Sequence, residues 1–288
     1  MPTQRSPKLG ALLTIAAVTV FGLQDGVSKH LTEQYSVFFV ITVRYWAFAA
    51  VLALVHRGQL RQVAATRHLP RQLLRGVLLA GQVCMIVQSF ASLGLTTTHA
   101  VFSSFTLLVA VGSWLFLGER VSRGRWAAIA IGFAGVLVIL RPGVQVLEPM
   151  ALLPLAGAVT FASYQLLTRT VSGDDHPRTS FFYTGLGGAL VMSCVGPFFW
   201  EQPDLQGWGW LAVVSGSSML GHYLLIQALR FAEASAIQPL IYLQLVVATS
   251  VGVLAFDERL DAMTAAGAAM VVGAGLYTLR AGRREAGR

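Results

Sequence analysis

Apolar positions along this chain neither alternate nor trace one narrow helical stripe; they gather into long blocks separated by short polar segments. Ten blocks lie near residues 9–28, 36–55, 75–95, 99–117, 124–140, 150–168, 180–199, 208–229, 236–256 and 262–279. A helix needs roughly 20 mostly apolar residues to cross a bilayer. The pattern therefore predicts an all-α membrane protein with ten transmembrane helices. Pro154 and Pro239 fall near block starts, where a first-turn proline is tolerated.

The basic residues sharpen this picture. With a cytoplasmic N-terminus, seventeen of the 21 Lys and Arg fall in inner segments, three (Lys29, Arg141 and Arg259) fall in outer segments, and Arg44 lies within the second block. Such a bias places both termini in the cytoplasm and the segment from Trp200 to Trp210 outside. Only 12% of residues are charged, against about 25% in soluble domains. The net charge of +8 therefore reflects topology rather than nucleic-acid binding. Cys84 and Cys194 both lie in apolar blocks, without disulfide or metal spacing, and are expected to be small buried hydrophobes.

The chain also repeats itself. The stretch from Gly118 to Gly143 matches that from Asp257 to Gly282 at an offset of 139, pairing Glu119 with Glu258, Arg120 with Arg259 and Arg141 with Arg280. Phe21–Lys29 aligns with Phe161–Arg169 at an offset of 140. Two halves follow, 1–143 and 148–288, of five helices each. Five is odd, so the second half enters the membrane from the opposite side. This is an inverted-topology repeat, an arrangement found in many secondary transporters.

The Gly/Asp-Glu-Arg element closing helices four and nine, the Gly-rich helix after each, and the two five-helix halves resemble the drug/metabolite transporter superfamily, and within it the EamA-type exporters. The resemblance implies a central cavity lined by both halves and export of small metabolites without ATP, with aromatic amino acids as the leading substrate and broad drug or metabolite export as the alternative. Two departures stand out. Asp257 replaces Gly118 in the second half, and Thr106 stands near the place where the family often has a proline. The chain has no phosphate-binding loop, His-Glu-x-x-His helix or Gly-x-Ser-x-Gly elbow, so an enzyme is a poor reading and no cofactor is expected. A receptor or scaffold would leave the internal symmetry unexplained.

Polar residues within the blocks are the candidate site. Gln24, Asp25, Arg44, Gln82, His99, Tyr164, Tyr223, Gln227, Gln238 and Tyr242 are expected to line a substrate cavity. Tyr223/Gln227 and Gln238/Tyr242 are each one turn apart and share a face. Interhelical hydrogen bonding is the competing role for each of these residues. Asp25 and Arg44 are costly in lipid and require partners. Lys29 or Arg44 could serve Asp25, and Arg44 could instead hold a substrate carboxylate. His99 and His222 are candidate proton carriers, leaving uniport and proton antiport both open. Glu119, Arg120, Glu258 and Arg259 sit at membrane edges as gate-locking groups, with neighbouring arginines as the expected partners of the glutamates. Helices five and ten are nearly bare of polar residues. They are expected to face the lipid bilayer or to pack on other helices, their small-residue spacings Ala128/Gly132 and Ala269/Gly273 permitting close helix contact, and they are the candidate surface for a homodimer.

Overall fold

The computed structural model describes residues 7–118, 123–140, 149–171, 174–231 and 240–286. Among these, eleven α-helices and no strands are present: α1 Pro7–Thr32, α2 Val37–Val55, α3 Leu60–Val63, α4 Leu69–Phe102, α5 Phe105–Leu117, α6 Arg123–Leu140, α7 Leu153–Val171, α8 Pro177–Val195, α9 Leu205–Phe231, α10 Leu243–Phe256 and α11 Ala262–Ala286. We call the end where α1 begins the near end and the end where it finishes the far end.

Most apolar blocks become single helices, but the third and fourth do not separate as expected. They join in α4, which carries a non-helical Gly94 at φ 76°, ψ 171°. The chain doubles back there. Phe90 and His99, nine residues apart, would be separated by about 13.5 Å along a straight helix, yet their rings stack at 5.6 Å. A Cβ at position 94 would lie 2.6 Å from a carboxylate oxygen of Glu258. Glycine thus meets both the backbone angle and the close approach.

A second interruption, at Ser103 and Ser104, separates α4 from α5. It forms without a proline. Tyr242, 139 residues after Ser103, is likewise a turn residue before α10. These breaks shorten the helices. Among the described residues, four stretches are long and apolar enough to cross a membrane by themselves: Lys8–Thr32, Val37–Val55, Leu69–Phe102 and Arg178–Phe199. Shorter apolar stretches occupy Phe105–Phe116, Trp126–Leu140, Leu243–Phe256 and Ala262–Tyr277. Both α5 and α10 end on a left-handed residue, Gly118 at φ 67° and Asp257 at φ 52°. Asp is among the few side chains that tolerate this region, which explains how it can stand where the first half has Gly.

The largest apolar cluster joins α2, α4 and α8 through Tyr45, Phe48, Ile86, Phe90 and Met192. A second joins α1, α2 and α9 through Leu31, Phe39, Leu211 and Val214. Helices α6 and α11 pack closely: a Cβ on Gly135 would sit 2.8 Å from the Gly267 carbonyl oxygen, and one on Gly267 would sit 2.6 Å from that of Gly135. Ala128 and Gly132 are therefore buried inside the chain, whereas Ala269 and Gly273 are exposed. The small-residue face of α6 packs within the molecule, against Leu107 of α5 and Ala274 of α11, as expected of a helix-packing element. Cys84 is half-buried, but Cys194 is exposed, contrary to the expectation for it.

Candidate functional site

At the far end, one carboxylate gathers three segments. Glu258 lies just beyond the left-handed cap of α10 and receives the Lys29 ammonium at 2.7 Å. It also accepts the backbone N–H groups of Leu95 at 2.7 Å and Thr96 at 3.1 Å. Those amides begin the helical arm after Gly94, where a carboxylate complements the positive helix end. Lys29 additionally lies 4.3 Å from the centroid of the Phe256 ring. Burial alone would raise the Glu258 carboxyl. The Lys29 hydrogen bond, the two backbone amides and the Lys29 charge outweigh it and hold the group below the ordinary carboxylate range.

One turn deeper, Asp25 is buried on α1 and accepts the Gln244 side-chain amide at 3.1 Å. His99 Nε2 lies 3.0 Å from the same oxygen, although it lacks the alignment of a hydrogen bond. His99 and Gln244 both border a cavity of about 20 Å³, room for about one water. Its other lining residues include Phe102, Ser103, Phe105, Thr106, Ile241, Tyr242 and Leu245. Eight of the nine lining residues form four pairs spaced by 139: 102 with 241, 103 with 242, 105 with 244, and 106 with 245. The two helix breaks thus face each other across this cavity, joined by a 2.5 Å hydrogen bond between Thr106 and Tyr242.

Towards the near end, Arg75 is buried on α4. It donates from Nε to Thr168 at 2.8 Å, from a terminal nitrogen to Gln72, and from the other to Tyr164 at 3.4 Å. Gln72 donates in turn to Asp175 at 2.7 Å, and Thr66 donates to the same carboxylate at 2.5 Å. The network ties α4 to α7 and to the segment before α8. Asp175 would be raised by burial, but the Thr66 and Gln72 hydrogen bonds, nearby His68 and the Arg67 amide bring it below its usual value.

A family model described as the EamA-like transporter family matches residues 8–141 and again residues 149–280. The chain belongs to the EamA-like transporter family. Among its relatives within and around this family, a riboflavin transporter of Rhizobium johnstonii is 28% identical over 94% of this chain and 91% of its own length. An S-adenosylmethionine uptake transporter of Rickettsia bellii is 25% identical over 88% of each chain. The pseudopaline exporter CntI of Pseudomonas aeruginosa is 25% identical over 92% of this chain and 94% of its own. A solved crystal structure covers 97% of this chain and all of its own, with a TM-score of 0.68 at 18% identity, a likeness of fold.

Several expected site residues of this EamA-family chain are buried. Gln24 and Asp25 are buried on α1, His99 and Gln82 on the two arms of α4, and Tyr242 ahead of α10. Arg44 donates to Ser218 at 3.1 Å rather than pairing directly with Asp25. Tyr164 stacks on Phe161 and lies below the Arg75 guanidinium. Tyr223 is 56% exposed, which corrects its place in the cavity; its neighbour His222 turns inward between Phe21 and Phe48. Gln227 is half-buried. Gln238, Glu119 and Arg120 lie outside the described residues. Glu258 pairs with Lys29 rather than with an arginine, and Arg259 is exposed. The expected Lys29–Asp25 pair is replaced because Glu258 and two helix-start amides draw Lys29 away. Arg75, Gln244, Ser218 and Thr106 were absent from the expected site. Arg75 stands at the first position of the third apolar block, and its one sequence signal is Gln72, three residues earlier on the same helical face.

Proposed function

We propose that this EamA-family protein is a secondary transporter that carries small amphiphilic metabolites across the bacterial inner membrane by alternating access, with both termini cytoplasmic. The observation that carries the reading is the central cavity, bordered by two helix breaks whose residues pair at the internal-repeat spacing. A pair of inverted halves, 1–143 and 148–288, accounts for that pairing and for the matching left-handed caps at Gly118 and Asp257. In this reading Lys29, Glu258 and the Gly94 turn form a closed far-end gate, and Glu119 with Arg169 supplies its sequence counterpart in the other half.

The site mixes amides, hydroxyls and imidazole with Phe and Leu, which suits cargo with an apolar body and a few polar arms. Aromatic amino acids, riboflavin and S-adenosylmethionine all fit that description. The named relatives carry riboflavin, S-adenosylmethionine or pseudopaline, and they include both uptake and export proteins. The proposal therefore concerns the carrier cycle of small metabolites, with export of aromatic amino acids as one member of the class. Purified protein in liposomes should exchange labelled cargo against unlabelled cargo without ATP. Exchange that occurs only with ATP or an added ATPase would reject the proposal.

A further inference from the structure

Three helices each carry a polar residue and a ring one turn apart. Helix α1 has Asp25 and Phe21, α2 has Arg44 and Phe48, and α9 has Ser218 and His222. The rings meet: Phe21 and His222 are 5.0 Å apart edge to face, and Phe48 and His222 are 6.4 Å apart and nearly parallel. On every helix the polar residue lies one turn nearer the far end, a step of about 5.4 Å. A charged layer consequently rests on an aromatic one.

The charged layer is incompletely satisfied. Arg44 spends only Nε, on Ser218, and neither of its terminal nitrogens has a hydrogen-bond partner among the described residues. No carboxylate of those residues lies within 4.0 Å of it. Asp25 engages Gln244 and His99 through one oxygen, leaving the other without a partner among the described residues. The Gln24 side-chain oxygen is buried and unpartnered as well. A buried oxygen such as that of Gln24 is rarely left unpaired, and a guanidinium presents a fork of donors shaped for a carboxylate. The titratable groups facing Arg44 are Tyr45, Asp25, Cys84 and His222; Asp25 is the one carboxylate among them and lies beyond ion-pair distance.

We propose that this layer binds the zwitterionic head of the cargo. Its carboxylate sits on the terminal nitrogens of Arg44 and its ammonium on the free oxygens of Asp25 and Gln24. The rings of Phe21, Phe48 and His222 hold the apolar body one turn below. The inference rests on the transporter reading and narrows its substrate class to carboxylate-bearing amines.

Counterflow in proteoliposomes tests it with two matched pairs, L-tryptophan with tryptamine and S-adenosylmethionine with its decarboxylated form, and with riboflavin, which has no carboxylate. The wild-type protein should prefer the carboxylated member of at least one pair by about tenfold or more in apparent affinity. Arg44→Gln should erase that preference. Arg44→Lys, which keeps the charge and loses the fork, should retain only part of it and serves if the first variant fails to fold. Equal or better exchange of the decarboxylated compounds or of riboflavin by the wild type would overturn the inference and leave the transporter reading intact. So would an undiminished preference in both variants. Exchange of none of the five compounds by the wild type would count against the transporter reading itself.

Discussion

Lys29 and Asp25 stand one helical turn apart on α1, and the fold sends them to different partners. Lys29 reaches the edge and meets Glu258, while Asp25 stays in the interior with Gln244 and His99. Both side chains of the Lys29–Glu258 pair are largely buried, at 12% and 13% exposure, so solvent screens it less than a surface pair. Replacing Glu258 by Gln removes charge-assisted bonds worth about 1.5–3 kcal/mol each and should loosen the far end. With Cys84 and Cys194 replaced, a cysteine at Thr96, buried beside Glu258, should react with a membrane-impermeant maleimide about tenfold or more faster in the Glu258→Gln background. An unchanged rate would reject the gate. Protonation should mimic the substitution. The Glu258 carboxyl is lowered in the folded protein, so its contribution is full above the ordinary carboxylate range and is lost as pH falls through the lowered value. Labelling at position 96, corrected for the reagent's own pH dependence, should accelerate only on that acidic side.

At the scale of elements, α6 and α11 approach within backbone contact, as do α4 and α8 at Gly76 and Gly187. The backbones of α6 and α11 touch at Gly135 and Gly267, which leaves no room for a methyl group against a carbonyl oxygen. Gly135→Ala or Gly267→Ala should destabilise the protein by about 1–3 kcal/mol, the usual cost of overpacking, and lower the thermal midpoint in detergent. Gly273→Ala, where no atom lies within 4 Å of a built Cβ, should hold or raise the midpoint, since alanine favours a helix interior over glycine. Equal behaviour of all three variants would show that this contact does not hold the helices together. The helix breaks at Ser103–Ser104 and Tyr242 belong to the same scale. No proline marks the first, whereas Pro239 precedes Tyr242 by three residues; the Thr106–Tyr242 bond joins the two.

For the whole molecule, the contacts sort by depth. The Lys29–Glu258–Gly94 group ties one end, the two helix breaks meet in the interior, and the Arg75–Gln72–Asp175 network ties the other end. The proposed topology makes the first group external and the last cytoplasmic. In a background lacking Cys84 and Cys194, a cysteine at Arg67 should react with impermeant reagent only in inside-out vesicles, and one at Gln206 only in right-side-out cells. A cytoplasmic Gln206 would sink both the orientation and the inverted arrangement of the two halves.

Apolar blocks, the 139-residue spacing and the need of Asp25 and Arg44 for partners are all legible in the sequence, because hydropathy, repetition and desolvation cost are properties of residue order and type. Family membership follows from the same information. The choice of partner does not. Whether Tyr223 or His222 faces inward depends on a helix rotation of about 100° per residue, set by packing against α1 and α2. The chain reversal at Gly94 depends on Glu258, 164 residues later, arriving to receive the Leu95 and Thr96 amides. The Arg75 network and the charged layer over the rings likewise join residues from three or more helices, and only the tertiary structure brings these side chains within a few ångströms.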